Sequence, residues 1–258
     1  MKQVVLGRSG VHVSRLAIGT GTNGVGRKSD QTRKGKNWLS DLLVAALERG
    51  VTFWDLADQY GSHPNAAVAL EKVDRSSVQI LTKTTSSEYS ACKKDIQRFL
   101  EELGTNYLDM VLLHGVSSGK WTEERSGAMR ALDEAKENGI IKSVGVSCHD
   151  FSALQVASEE PWVEILLVRL NYQGDNMDAK PNKVAPVVQK AHDNGKGVVG
   201  MKALGCGTLA HSPEKAIQFV FGLGSVDAVT IGPTDDSHLS RNIQIIDGLE
   251  EPQIRRAV

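Results

Sequence analysis

The chain has 258 residues, 40% of them hydrophobic, with 30 Lys and Arg against 31 Asp and Glu for a formal net charge of −1. That balance argues against a polyanionic partner, because nucleic-acid binders carry a basic excess that releases counterions from phosphates, and no apolar stretch is long enough to span a membrane. Cys92, Cys148 and Cys206 are odd in number and widely spaced, which fits neither a disulfide framework nor a metal knuckle; with no signal-peptide pattern at the start, the expected location is the cytoplasm.

The first segment, VVLGRSGVHVSRL, alternates apolar and polar residues around Arg8-Ser9-Gly10 and predicts a hairpin. Eight strand candidates follow: RLAIGT (15–20), TFWDLA (52–57), VQILTKT (78–84), MVLLHG (110–115), IKSVGVSC (141–148), EILLVRL (164–170), KGVVGMKAL (196–204) and VDAVTIGP (226–233). Eight amphipathic stretches alternate with them, at about 40–49, 65–74, 91–103, 125–138, 151–159, 183–194, 213–223 and 236–246. Several of these helices close on glycine, at Gly50, Gly104, Gly139 and Gly195, where a left-handed C-cap is wanted.

Strand–helix alternation implies parallel βαβ units, and eight of them make a closed (β/α)8 TIM barrel, one domain over 1–258, with the hairpin capping its floor. An open doubly wound sheet is the alternative. Gly19-Thr20-Gly21-Thr22-Asn23-Gly24 satisfies GxGxxG, but the dinucleotide fingerprint needs its last glycine to open a helix. Here the chain runs instead into VGRKSDQTRKGKN, a polar loop with five basic residues. Gly19 and Gly21 are therefore expected to let backbone pass close to a ligand.

In such a barrel the chemistry sits where strands end. Strand 2 delivers Asp55, with Tyr60 just beyond; strands 3, 4 and 5 deliver Lys83, His114 and Ser147; strands 6 and 7 deliver Asn171 and Lys202. Taken singly, Asp55 and Lys83 read as readily as a structural pair, Tyr60 as a loop aromatic and His114 as a core histidine. Together they read as a tuned proton donor. An ammonium on Lys83 lowers the pKa of the Tyr60 phenol, Asp55 keeps Lys83 charged, and His114 orients the oxygen that receives the proton.

On these residues the chain resembles the aldo-keto reductases, from LGRSGVHVSRLAIGTG to IGPTDDSHLSRN. FWDLADQYG carries Asp55 and Tyr60 at the family's catalytic aspartate and tyrosine, LTKT carries Lys83 at its lysine, and LDMVLLHG carries His114 at its histidine. The resemblance implies an oxidoreductase that transfers hydride between a nicotinamide cofactor and a small carbonyl or alcohol, with Tyr60 as proton donor. The cofactor it implies is NADPH, with NADH as the alternative, and a monomer or weak homo-oligomer without a metal is expected. Cofactor contacts are implied for Gly19 and Thr20, for Ser147 and Cys148 of GVSC, for Asn171, and for Met201 and Lys202 of MKALGCG. At the end of the barrel they are implied for Gly232, Thr234, His238, Arg241 and Asn242.

The motif departs from the family at Cys148, which replaces a common Asn, at Leu167, which replaces a Gln, at Met201, which replaces an aromatic, and at His238, which replaces an Arg. Trp54, Trp121 and Tyr172 are the expected pocket walls. The chain ends about a dozen residues after the last predicted helix, so a long C-terminal pocket loop is expected to be absent or nearly so. Two further functions fit the same residues: a nucleotide-binding regulatory subunit, and a lyase that forms a Schiff base on Lys83.

Overall fold

The β-branched runs close into a cylinder in the computed structural model of the chain, which describes residues 1–249. Its staves are β3 (Leu16–Gly19), β4 (Phe53–Asp55), β5 (Gln79–Thr84), β6 (Leu108–Val116), β7 (Ile141–Cys148), β8 (Ile165–Arg169), β9 (Gly197–Met201) and β10 (Ala228–Ile231). Each pairs in parallel with the next, and β10 pairs with β3 at Ile231 and Ile18 to complete the barrel. The antiparallel hairpin β1 (Gln3–Val5) and β2 (His12–Ser14) is present, with Val4 opposite Val13. Leu6, Val11 and Val13 from this hairpin pack against the barrel interior at Ala17, Phe53, Leu81 and Ala228, so the hairpin plugs the floor.

Strand alternation separates two cores. Phe53, Leu81, Met110, Leu112, Ile165, Leu167 and Met201 fill the cylinder. Trp54, Ile80, Val111, Leu113, Val146, Cys148 and Val168 face the helices. The helices answer with apolar stripes: α4 (Tyr89–Leu103) buries Cys92, Ile96, Phe99 and Leu103, spaced four, three and four apart. It ends on Gly104 in the left-handed region, φ 64°, as its sequence predicts.

The remaining helices are α1 (Asp30–Arg33), α2 (Lys36–Glu48), α3 (His63–Leu70), α5 (Trp121–Glu124), α6 (Ser126–Glu137), α7 (Phe151–Glu159), α8 (Pro181–Asp193), α9 (Pro213–Gly222) and α10 (Asp236–Asp247). Two of these, α1 and α5, are single turns that the sequence pattern does not predict. Ser29 makes α1 by capping it in a box with Thr32. The predicted strand 196–204 stops at Met201, because Lys202 turns into the left-handed region at φ 58°. No helix among the described residues is long and apolar enough to cross a membrane, and the segment after the last helix, read from sequence as short, lies from residue 250 on beyond the described residues.

Candidate active site

The alternation that buries Phe53, Leu81 and Leu112 in the cylinder also turns Asp55, Lys83 and His114 inward, one step further along each strand. Lys83 is fully buried. Its Nζ donates to Asp55 Oδ1 and, at 2.8 Å, to the Leu56 carbonyl. Tyr60 ends a 3₁₀ turn, Asp58–Tyr60, and swings its ring over Lys83, whose Nζ lies 4.8 Å from the ring centroid. The Tyr60 hydroxyl lies 3.5 Å from His114 Nε2, with the two rings edge to face. The four residues predicted from sequence therefore meet at the C-terminal mouth.

Their electrostatics differ in one respect from expectation. Burial pushes the Tyr60 phenol above its ordinary pKa, and Lys83, which pulls it down as expected, does not win. Burial is the largest influence on the Lys83 ammonium and works against it, but Asp55 and Tyr60 together outweigh it and the amine is held charged. His114 is kept neutral, its pKa well below the usual imidazole value through burial and then through Lys83, His149 and Arg125.

A cavity of about 400 Å³ runs from this cluster across the ends of β9, β10 and β3. Gly19, Met201, Lys202, Gly232 and Thr234 line it, as do His238, Arg241 and Asn242 at its far end. Arg241 forks onto Glu214, and His238 Nδ1 sits 2.9 Å from the Thr234 hydroxyl. Lys202 donates to Cys206 Sγ at 3.4 Å. Ser147 faces the cylinder from β7, and its buried hydroxyl has no hydrogen-bond partner among the described residues.

Other residues named from sequence lie elsewhere. Cys148 and Trp54 follow or precede an inward residue, so alternation turns both toward the helices, where they are fully buried. Trp121 is buried in the same outer layer beside Trp162, and Tyr172 packs near Phe219 with Lys215 over its ring. None of these three aromatic residues lines the cavity. Thr20 and Asn171 are occupied by the protein: the Thr20 hydroxyl donates to the Asp55 carbonyl, and Asn171 bonds Gln173, Gly174 and Asp175 in its own loop and the Lys202 carbonyl just past β9.

Three residues went unread in the sequence. Thr230, inward on β10, donates to the second oxygen of Asp55 at 2.8 Å. Arg169, the last residue of β8, and His149, just past β7, bond each other at 2.6 Å across the mouth. The inward parity of Arg169, two after Leu167, was the available signal.

Fold and site together define a class: a parallel (β/α)8 barrel with a Tyr, Lys, Asp and His cluster at the mouth and a long cavity beside it. The chain belongs to the aldo/keto reductase family, whose model matches residues 17–246. It is 24% identical over 280 aligned residues to the Alternaria alternata aldo-keto reductase AFTS1, covering 92% of this chain and 74% of that one. To a probable aldo-keto reductase of Glycine max it is 30% identical over 57% of this chain, and it spans only 45% of that protein's length. Two mycobacterial aldo-keto reductases are likewise matched over only 46% of their length. Among solved structures, the holo form of aldo-keto reductase AKR11C1 from Bacillus halodurans superposes with a TM-score of 0.78 at 20% identity, over 98% of this chain and 93% of that one.

Proposed function

We propose that the protein is a cytoplasmic NADPH-dependent carbonyl reductase of small aldehydes or ketones, acting as a monomer or weak homo-oligomer. The observation that carries this is the Tyr60 hydroxyl 3.5 Å from a neutral His114, above a buried Lys83–Asp55 pair. The residues present fit a nicotinamide cofactor. Ser147 offers an unpartnered buried hydroxyl for a carboxamide, Met201 a thioether wall for a ring, and Lys202, Arg241 and His238 positive or donor groups for phosphates. NADPH, when bound, supplies the hydride.

The chain's own residues supply the rest. Tyr60 holds its proton through the neutral range and donates it to the carbonyl oxygen; the phenolate left behind is met by the Lys83 ammonium, which Asp55 keeps charged. His114 Nδ1 is buried without a partner among the described residues, and an orphaned acceptor is cheaper than an orphaned N–H, which assigns the proton to Nε2, facing Tyr60. From there it donates to the same carbonyl oxygen and fixes its position. The reverse reaction, alcohol oxidation, uses the same groups. A Schiff base on Lys83 fits less well, because that amine is charged and already donates to Asp55 and Leu56.

The test is turnover of a panel of aldehydes with NADPH and NADH, beside titration of tryptophan fluorescence with each. Turnover and tighter binding of NADPH are expected. Tyr60→Phe is expected to lose about 10²–10⁴-fold in kcat with little change in cofactor affinity. Wild-type turnover by that variant would overturn the assignment of Tyr60, and binding without any turnover would favour the regulatory subunit.

A further inference from the structure

Tyr60 ends a turn of only three residues, and its hydroxyl stands 3.5 Å from His114, the outer limit of a hydrogen bond. The ring is therefore placed largely by what stands beside it. Gly21 and Gly24 press on its two edges, each so closely that a Cβ would collide with the ring. Glycine fits there because it is small, but it is also the residue that fixes its own backbone least. The segment Gly19-Thr20-Gly21-Thr22-Asn23-Gly24 needs something else to hold it still.

The single turn α1 does this from behind. Its cap, the buried Ser29, donates to the Thr20 carbonyl at 2.6 Å, and the Thr20 hydroxyl donates in turn to the Asp55 carbonyl. Gln31 is fully buried and commits both ends of its amide to one residue: Oε1 accepts from the Thr22 main-chain N–H at 3.0 Å, and Nε2 donates to the Thr22 hydroxyl at 2.9 Å. The partners fix which way the amide points, since only its oxygen can meet an N–H. Thr32 reaches the Tyr60 carbonyl at 3.3 Å. Side chains of one turn thus hold the glycine segment and the backbone of the tyrosine it touches. Gln31 Nε2 and the Thr22 hydroxyl would each stand 2.6 Å from a Cβ on Gly232, so the same pair packs the segment against the end of β10. A side chain kept only for volume would be apolar here, because a buried amide is costly unless it is paired. The pairing that Gln31 makes is with the segment beside Tyr60.

We propose, resting on the reductase reading above, that Gln31 is a positioning residue for Tyr60: through Thr22 it holds the glycine segment against the ring, keeping the ring over Lys83 and away from bulk water. Gln31 stands behind the cavity, whereas Gly21, Thr22 and Tyr60 line it. Cutting the clamp changes the proton donor. Burial, the largest influence on Tyr60, raises its pKa while Lys83 lowers it. A loosened segment admits water, so the burial effect weakens and the phenol gives up its proton at lower pH.

The experiment is a pH profile of kcat under saturating NADPH for the best aldehyde of the panel above, from about pH 6 to about pH 11, in the wild type and in Gln31→Met, which keeps the volume and removes both hydrogen bonds. Reduction needs Tyr60 protonated, so kcat falls as pH rises through its pKa. In Gln31→Met, kcat is expected to drop about 10–100-fold and the alkaline limb to move down by about one pH unit. Thr22→Val, which removes only the hydroxyl, should move the limb the same way, and the double variant should be no worse than Gln31→Met alone. A merely structural glutamine would lower the thermal midpoint and leave the limb in place; that result, or effects that add in the double variant, overturns the inference. Should Gln31→Met fail to fold, the limb of Thr22→Val decides. If no aldehyde turns over in the wild type, the reductase reading fails on its own. Tyr60 is then titrated directly by the ultraviolet absorbance of its phenolate, each protein read against its own Tyr60→Phe variant: a lower pKa in Gln31→Met supports the clamp, and an equal one overturns it.

Discussion

Thr230 shows how much a catalytic carboxylate depends on a residue with no charge of its own. One oxygen of Asp55 faces Lys83; the other, buried, accepts from the Thr230 hydroxyl at 2.8 Å. Thr230→Val keeps the shape and removes the donor, leaving a buried carboxylate oxygen unpaired, which costs about 1–3 kcal/mol. A lower thermal midpoint and a severalfold lower kcat are expected, with Thr230→Ser recovering most of both; a Val variant with wild-type values of each would remove Thr230 from the site. Nothing in VDAVTIGP marks this threonine, since a hydroxyl in a strand is ordinary until its neighbour across the barrel is known. Asp55, Lys83 and His114 were legible because each lies at or within two residues of the C-terminal end of its strand, in a fold whose strand ends converge. Trp54 and Cys148 were misplaced although strand alternation was available: each adjoins an inward residue and so must face the helices.

At the scale of elements, the unit that matters is the turn carrying Tyr60. Arg98 on α4 holds Asp58 at 2.7 Å, and Gly61 closes the turn at φ 64°. His63 braces the turn from behind, between Glu102 and Thr82 at 2.8 and 2.7 Å. The GxGxxG segment approaches from the other side. A Cβ on Gly21 would stand 2.4 Å from the Tyr60 ring, and one on Gly24 the same distance from its other edge. Gly21 was read from sequence, together with Gly19, as room for a ligand, and its closest neighbour is the tyrosine. Gly21→Ala must therefore push the ring aside. As misplacement by about 1 Å costs on the order of 10²-fold in rate, kcat is expected to fall to that extent with a much smaller change in thermal midpoint. Unchanged turnover in Gly21→Ala would show that the ring has slack. The spacing of the glycines was visible in the sequence, but what they approach depends on a turn whose course is set by long-range ion pairs.

In the whole molecule the two ends of the barrel carry different chemistry. The floor is closed by an apolar hairpin, whereas the mouth holds two imidazoles that burial and nearby cations keep neutral. The eight-unit rhythm announced the barrel, and the hairpin announced its floor, because both are periodic patterns within short stretches of chain. The pH response follows from side chains brought together across strands and was not readable there. His149 is brought down to about 4, by burial first and then by Arg169, and His114 lies well below the ordinary value. In the unfolded chain both titrate near 6.5. Below that pH the unfolded state takes up protons that the folded state refuses, so the stability these groups contribute is complete above about pH 6.5 and is lost as pH falls toward 4. The slope is at most about 1.4 kcal/mol per pH unit for each proton, and less for His149, whose partial exposure lets solvent screen it. Glu102 acts in a lower window. Its hydrogen bonds to His63, Arg27 and Arg98 outweigh burial and hold it at about 2, so its contribution is kept above the ordinary carboxylate value and lost between there and about pH 2. Thermal midpoints measured from pH 7.5 to pH 3 are expected to fall in two stages. His149→Asn should flatten the upper stage and leave the lower one steep, and a midpoint that stays level between pH 7 and pH 5 in the wild type would mean that the mouth accepts charged imidazoles after all.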